Sequence, residues 1–196
     1  VAQLLVIRAS GHLYDSQRQY PQWEIGNRQI KRLLKEGVGG VILYGGTIEE
    51  IKKRSNLLRS WSDKKIFLCA DIEEGIGQRF QGGSMLVPPM SFSQISDLSH
   101  QEVLDLAEEY GDIIGKQARK CGLNWVLAPV ADVNTNKVNP VINLRAWGED
   151  PFKVSELICS FNRGLQSNSV LSCAKHFPGH GDTSVDSHLE LPILRH

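Results

Sequence analysis

The chain is 196 residues long, a length that suits one domain able to bury a real core. Its 22 Lys and Arg balance 22 Asp and Glu, so nothing in the electrostatics argues for nucleic acid or an anionic membrane surface as partner. No apolar run approaches the length of a transmembrane helix, and no charged and apolar leader precedes the first strand, although the chain starts at Val1 and a removed leader stays open.

The chain alternates short apolar runs with longer amphipathic ones. Gln3 to Ala9 reads as a strand. Gly26 to Glu36 carries Ile30, Leu33 and Leu34 at helical spacing. A glycine-rich turn, Gly37 to Gly40, leads into the β-branched run Val41 to Tyr44. Ile48 to Trp61 reads as a second helix and Ile66 to Asp71 as a third strand. Ser99 to Cys121 is a long helix, with Ser99 as N-cap, Glu102 three residues on and Gly122 just past its end. Asn124 to Val130 is a fourth strand. Asp150 caps a helix to Gln166 with Pro151 in its first position, and Val170 to Ala174 is a fifth strand. Cys69, Cys121, Cys159 and Cys173 form no C-x-x-C pair and lie in or beside apolar runs, which predicts free buried thiols.

Repeated strand-helix units predict a parallel sheet with crossover helices, its strands buried on both faces. Asp71, Asp132, Lys175 and His176 all fall at the C-terminal ends of strands. That placement fits an α/β fold of the TIM-type (β/α)8 barrel, here about its first five strand-helix units. A doubly wound sheet is disfavoured, because no glycine-rich phosphate turn follows the first strand.

The densest chemistry lies in one stretch, Lys175 to His188, reading KHFPGHGDTSVDSH. It packs titratable groups and backbone-bending Pro178, Gly179 and Gly181 directly after an apolar run. Asp186 and His188 are separated by one residue, so the carboxylate can reach one ring nitrogen and leave the other free to exchange a proton. The charge of Asp186 also favours the imidazolium. His180 and Asp182 read as loop-shaping groups. Asp132 reads as support behind the site or as a substrate contact.

This stretch resembles the signature K-H-F-P-G-H-G-D-T followed by D-S-H of family 3 glycoside hydrolases, in their β-N-acetylglucosaminidase branch. The β-glucosidases of the family share the Lys-His pair but lack the histidine of D-S-H. Upstream, Asp71 to Phe80 resembles D-x-E-G-G-x-x-Q-R-F. Leu127 to Asn134 and Asn139 to Gly148 resemble L-A-P-V-x-D-V-N and N-P-V-I-x-x-R-x-F-G. The blocks follow family order from about Gln3 onward. Departures are Glu74 and Gly77 in place of Gly and a branched residue, Trp147 in place of Phe, and Asn143-Leu144 before the arginine.

The resemblance implies that Asp71, Arg79, Arg145, Lys175 and His176 grip the terminal sugar. His188 would be the acid/base, assisted by Asp186. It implies a retaining hydrolase of terminal β-N-acetylglucosamine acting on oligosaccharides or muropeptides in bacterial cell-wall recycling. The setting would be cytoplasmic, with no cofactor and with neither nucleic acid nor membrane as partner. The family's aspartate nucleophile lies on a late barrel strand, and no segment here matches it. Residues 1–196 are therefore expected to be part of the catalytic barrel, ending after the acid/base loop, and inactive alone. Other glycosidase chemistry, a sugar-binding fragment, and a metal-dependent hydrolase using His176, His180 and His188 remain as alternatives.

Overall fold

The computed structural model describes residues 1–194. Four parallel strands alternate with four helices. The strands are β1 (Val6–Ser10), β2 (Gly40–Tyr44), β3 (Phe67–Ala70) and β4 (Trp125–Val126). The helices are α1 (Asn27–Lys35), α2 (Ile48–Ser60), α3 (His100–Lys120) and α4 (Pro151–Gln166). Strand order follows chain order, with Val6 opposite Gly40, Gly40 opposite Phe67 and Cys69 opposite Trp125. Neighbouring parallel strands joined by crossover helices are the repeating unit of a TIM-type barrel. The sheet does not close into a ring among the described residues.

Helix boundaries follow local chemistry. Thr47 and Glu50 satisfy each other's backbone N–H groups at the start of α2, and Ser99 and Glu102 do the same for α3. Asp150 accepts the Lys153 N–H, with Pro151 where a missing donor costs nothing. Gly122 takes the left-handed conformation just past α3, with φ of 80°.

Three expectations need correction. Residues Ala2–Leu4 form a short 3-10 turn and the first strand begins only at Val6, because its partner strand begins at Gly40. Burial on both faces holds for β3, at Leu68, Cys69 and Ala70, and at the end of β1, at Ala9 and Ser10, but β2 is buried mainly on one side. Ala9, Val41 and Leu43 are sealed under the helices, whereas Arg8, Ile42 and Tyr44, pointing the other way, are half-buried. All four cysteines are free, but only Cys69 and Cys121 are buried; Cys159 is exposed and Cys173 intermediate.

The expected fifth strand is the fourth difference. Residues 170–175 run beside β4, with the Val126 N–H donating to Leu171 O at 2.8 Å and the Cys173 N–H to Ala128 O at 2.8 Å. They form only two isolated parallel bridges, Trp125 to Leu171 and Val130 to Lys175. Between these bridges one side advances five residues and the other four (130 − 125 against 175 − 171). The Cys173 N–H already meets Ala128 O, where the register of Trp125 with Leu171 would take it to Val126 O, so the slip starts between residues 126 and 128.

The two longest helices, α3 and α4, meet backbone to backbone. A Cβ on Gly164 would lie 1.8 Å from Glu108 O, and one on Gly111 would lie 2.1 Å from Phe161 O. Neither position has room for a methyl group unless the helices part. Gly164→Ala is expected to cost about 1–3 kcal/mol of stability by overpacking. Chemical denaturation followed by circular dichroism checks this, and an unchanged midpoint would mean the helices separate freely.

Candidate functional site

The strand ends aim their side chains at one cleft of about 360 Å³, lined among others by Asp71, Glu73, Arg145, Lys175 and His188. At its floor is Glu73, only 2% exposed. Arg145 grips it with two parallel bonds, Nε to Oε2 at 2.8 Å and Nη2 to Oε1 at 2.9 Å. Lys175 Nζ lies 2.5 Å from Glu73 Oε1 and 3.0 Å from Asp71 Oδ1. Burial alone would raise the Glu73 carboxyl, but the Arg145 hydrogen bonds and the Lys175 charge outweigh it and hold the pKa at about 2.

Asp71 follows β3 directly. Arg79 donates Nε to its carbonyl at 3.2 Å and brings Nη2 to 3.6 Å from its carboxylate. The Tyr44 hydroxyl donates to Asp71 Oδ2 at 3.3 Å. Burial, and then the Asp71 charge, push the Tyr44 phenol up. The Arg8 guanidinium lies over the Tyr44 ring, 4.3 Å from its centre.

His176 is held from two sides. Its Nδ1 lies 2.6 Å from Asp132 Oδ2, and its Nε2 faces Arg145 Nη2 at 3.4 Å. Since arginine can only donate, Nε2 accepts and the proton sits on Nδ1. Asp132 also accepts the backbone N–H groups of His176 and His180, at 3.0 and 2.6 Å. Burial would raise its carboxyl, yet the hydrogen bonds from both histidines prevail and lower it. Asp132 thus sits behind the cleft, tying the segment after Val130 to the segment after Lys175.

The Asp186 to His188 contact expected from their spacing forms. Asp186 Oδ1 accepts the His188 N–H at 2.9 Å and lies 2.7 Å from His188 Nδ1. The His188 N–H, and then its ring, hold the Asp186 carboxyl below its usual range. With Nδ1 engaged, Nε2 is the free nitrogen, on a side chain 81% exposed at the cleft's edge. His180 and Asn139 shape the loop: Asn139 Nδ2 donates to His180 O at 2.7 Å, and its Oδ1 accepts the N–H groups of Val141 and Ile142.

The structure therefore brings Asp71, Arg79, Arg145, Lys175, His176 and His188 to one cleft, with Asp186 held to His188, and adds Glu73 at the floor and Tyr44 behind Asp71. Glu73 stands two residues after Asp71 in a chain leaving a strand, a spacing that puts both side chains on one side. That spacing was the available signal. The departures also find their places. Gly77 packs against backbone, with a Cβ there 2.5 Å from Gly83 O. Trp147 is buried against Phe92, Tyr110 and Phe161, with ring centres 5.0, 5.7 and 5.5 Å away, two residues beyond Arg145.

A cleft lined by alternating carboxylates and cations suits a polyhydroxy ligand, since carboxylates accept from paired hydroxyls and Arg and Lys donate charge-assisted bonds. Among the described residues, no group of three or more His, Cys, Asp or Glu is arranged to hold a metal ion. No helix among them is long and apolar enough to cross a membrane.

Comparison with known proteins gives a consistent picture. Residues 1–196 match the glycosyl hydrolase family 3 N-terminal domain. A β-hexosaminidase of Methylobacillus flagellatus is 33% identical over 174 residues, covering 87% of this chain and 50% of the relative. One from Neisseria meningitidis is 32% identical over 175 residues, covering 87% and 48%. The chain thus spans about half the length of the curated relatives it matches. Among solved structures, NagZ of Neisseria gonorrhoeae in complex with N-trifluoroacetyl-D-glucosamine superposes with a TM-score of 0.79 at 27% identity, over 95% of this chain and 53% of that one. A family 3 β-N-acetylglucosaminidase of a Paenibacillus species reaches 0.81 at 30% identity, over 100% of this chain and 36% of that one.

The Glu73 ion pairs carry a testable stability signature. A carboxyl held at about 2 against 4.5 favours the folded state above pH 4.5, and that contribution is lost as the pH falls through about 2. Glu73→Gln leaves two cations facing a neutral group and is expected to cost about 3 kcal/mol at neutral pH. Its stability should then fall less steeply between pH 5 and pH 2 than that of the parent, as read from urea midpoints. Parallel pH profiles would mean that Glu73 is not the buried anion described.

Proposed function

We propose, from the premise that this chain belongs to glycosyl hydrolase family 3, that it supplies the sugar-gripping and acid/base half of a retaining β-N-acetylglucosaminidase. The observation that carries this reading is the His188–Asp186 pair, bonded at 2.7 Å, on the rim of the cleft floored by Glu73 and Lys175. Glycosidases usually set two carboxylic groups across the scissile bond. Here a histidine takes the place of the acid.

In this reading Asp71, Arg79, Arg145, Lys175 and His176 hold the terminal sugar. Asp71 accepts from its hydroxyls, and the cations of Arg79, Arg145 and Lys175 donate to its oxygens. His176, whose Nε2 already accepts from Arg145, sets the arginine's position as well as touching the ligand. His188 Nε2 gives its proton to the departing glycosidic oxygen and later takes one from the attacking water. Asp186 stabilises the charged ring and holds its tautomer. In this reading Asp71, Glu73 and Asp132 bind and brace, and the carboxylate that accepts the glycosyl group is a separate one.

The names of the relatives and of the solved structures support a hexosamine in place of a plain glucose. N-Acetylglucosamine-terminated oligosaccharides or muropeptides are the proposed substrates, and cell-wall sugar recycling in the cytoplasm is the proposed setting.

The test is leaving-group dependence in the whole enzyme. His188→Ala should lower turnover of an alkyl β-N-acetylglucosaminide by about a hundred- to ten-thousand-fold, the usual worth of general acid catalysis. A nitrophenyl glycoside, whose leaving group needs no proton, should lose far less in the glycosylation step. Equal losses of kcat/KM, which reports the glycosylation step, on both substrates would reassign His188 to sugar binding. A parent enzyme that prefers the glucoside to the N-acetylglucosaminide would overturn the substrate.

A further inference from the structure

The acid/base loop has two parts of different character. The first part, 176–183, is pinned at His180: this residue is 8% exposed, its backbone N–H donates to Asp132 Oδ1 at 2.6 Å and its carbonyl accepts from Asn139 at 2.7 Å. Residues 184–190 are half-buried at most. Within them, Asp186 O accepts the N–H groups of Leu189 and Glu190 at 2.9 and 3.0 Å, and Asp186 Oδ1 takes both His188 contacts. Those bonds stay inside the segment and do not fix it relative to the cleft.

Ser187 does fix it. Its hydroxyl lies 3.0 Å from His180 Nε2, while His180 Nδ1 lies 2.5 Å from the Thr183 hydroxyl. Thr183 is itself held by Asn139 Nδ2 at 3.3 Å and by its bond to His180 O at 3.0 Å. The imidazole therefore bridges two hydroxyls, one on each part of the loop. Thr183 spends its one proton on His180 O, so His180 Nδ1 donates to the Thr183 hydroxyl and Nε2 accepts from the Ser187 hydroxyl. Ser187 is flanked in sequence by Asp186 and His188, so a bond to its side chain sets the place of both.

We infer that the Thr183–His180–Ser187 bridge is a latch that positions the His188–Asp186 pair over the cleft, with His180 and Ser187 as positioning residues for proton transfer. The inference rests on the reading of His188 as acid/base. An exposed loop that samples many conformers offers its acid in the reacting geometry only part of the time. One neutral hydrogen bond shifts such a population by about two- to tenfold. The latch thus acts on the proton-transfer step and leaves the sugar-gripping groups in place.

The experiment compares Ser187→Ala and Ser187→Thr with the parent in the whole enzyme, on an alkyl and a nitrophenyl β-N-acetylglucosaminide. Ser187 is exposed, so both variants should keep the parent's unfolding midpoint. Ser187→Ala is expected to lower kcat/KM, which for both substrates stops at the glycosylation step, about fivefold on the alkyl substrate and less than about twofold on the nitrophenyl one. Ser187→Thr, which retains the hydroxyl, should restore the alkyl rate. Equal rates for Ser187→Ala and parent on the alkyl substrate overturn the latch. So does an equal loss on both substrates, or a failure of Ser187→Thr to recover. A parent that turns over neither glycoside instead overturns the activity on which the latch depends.

Discussion

The site hangs on one buried carboxylate. Glu73, Arg145 and Lys175 come from three separate places: the connection leaving β3, the one leading into α4 and the end of residues 170–175. None of these places has a regular ladder to hold it at the cleft. The shared anion draws them together, because two cations this shielded from water need a counter-charge, and a bidentate guanidinium fixes direction as well as distance. Asp71 and His176 then inherit their positions, the first through Lys175 and the second through Arg145. A second anion, Asp132, plays the matching part for the backbone of the acid/base loop. Both carboxylates are held ionised against the pull of burial.

Local chemistry made the helices legible. Ser99 with Glu102, and Asp150 with Pro151, announce where α3 and α4 begin, because the backbone donors of a first turn must find partners somewhere. The motif blocks likewise pointed to Asp71, Arg79, Arg145, Lys175 and His176, all of which the fold brings to one cleft. What local pattern could not convey was long-range partnership. Val170 to Ala174 is as apolar as a strand, but whether a ladder forms depends on the register of residues 126–130, far away in the sequence. Cys159 sits in an apolar run, yet the buried stripe of α4 passes through Val154, Leu157, Phe161 and Leu165 and leaves it outside. Glu73 was visible as a motif letter, but its neighbours Arg145 and Lys175 lie elsewhere in the chain, and only their convergence reveals it as the floor of the site.

The same distinction separates the two kinds of glycine here. Gly122 answers a local demand, a backbone turning out of a helix, and its position follows from the sequence. Gly111 and Gly164 answer a demand made by another helix, and nothing in the sequence around either one names its partner. Together they bring α3 and α4 close enough for Tyr110 and Phe161 to share one aromatic cluster with Trp147, just beyond Arg145.

The slip between residues 126 and 130 has a consequence of phase. Side chains along an extended chain alternate between two faces, so one additional residue reverses which face every later position occupies. Continued without the slip, the pairing of Trp125 with Leu171 would set Lys175 opposite Pro129 (125 + 4) instead of Val130. Asp132 would then arrive out of step with His176 and His180, its carboxylate turned from the two N–H groups it now accepts. The bulge works as a half-turn of a screw, and the segment from 126 to 130 tolerates changes of residue far better than changes of length. Loss or gain of a single residue there would leave Asp71, Arg145, Lys175 and His176 in the chain and scatter the cleft they build.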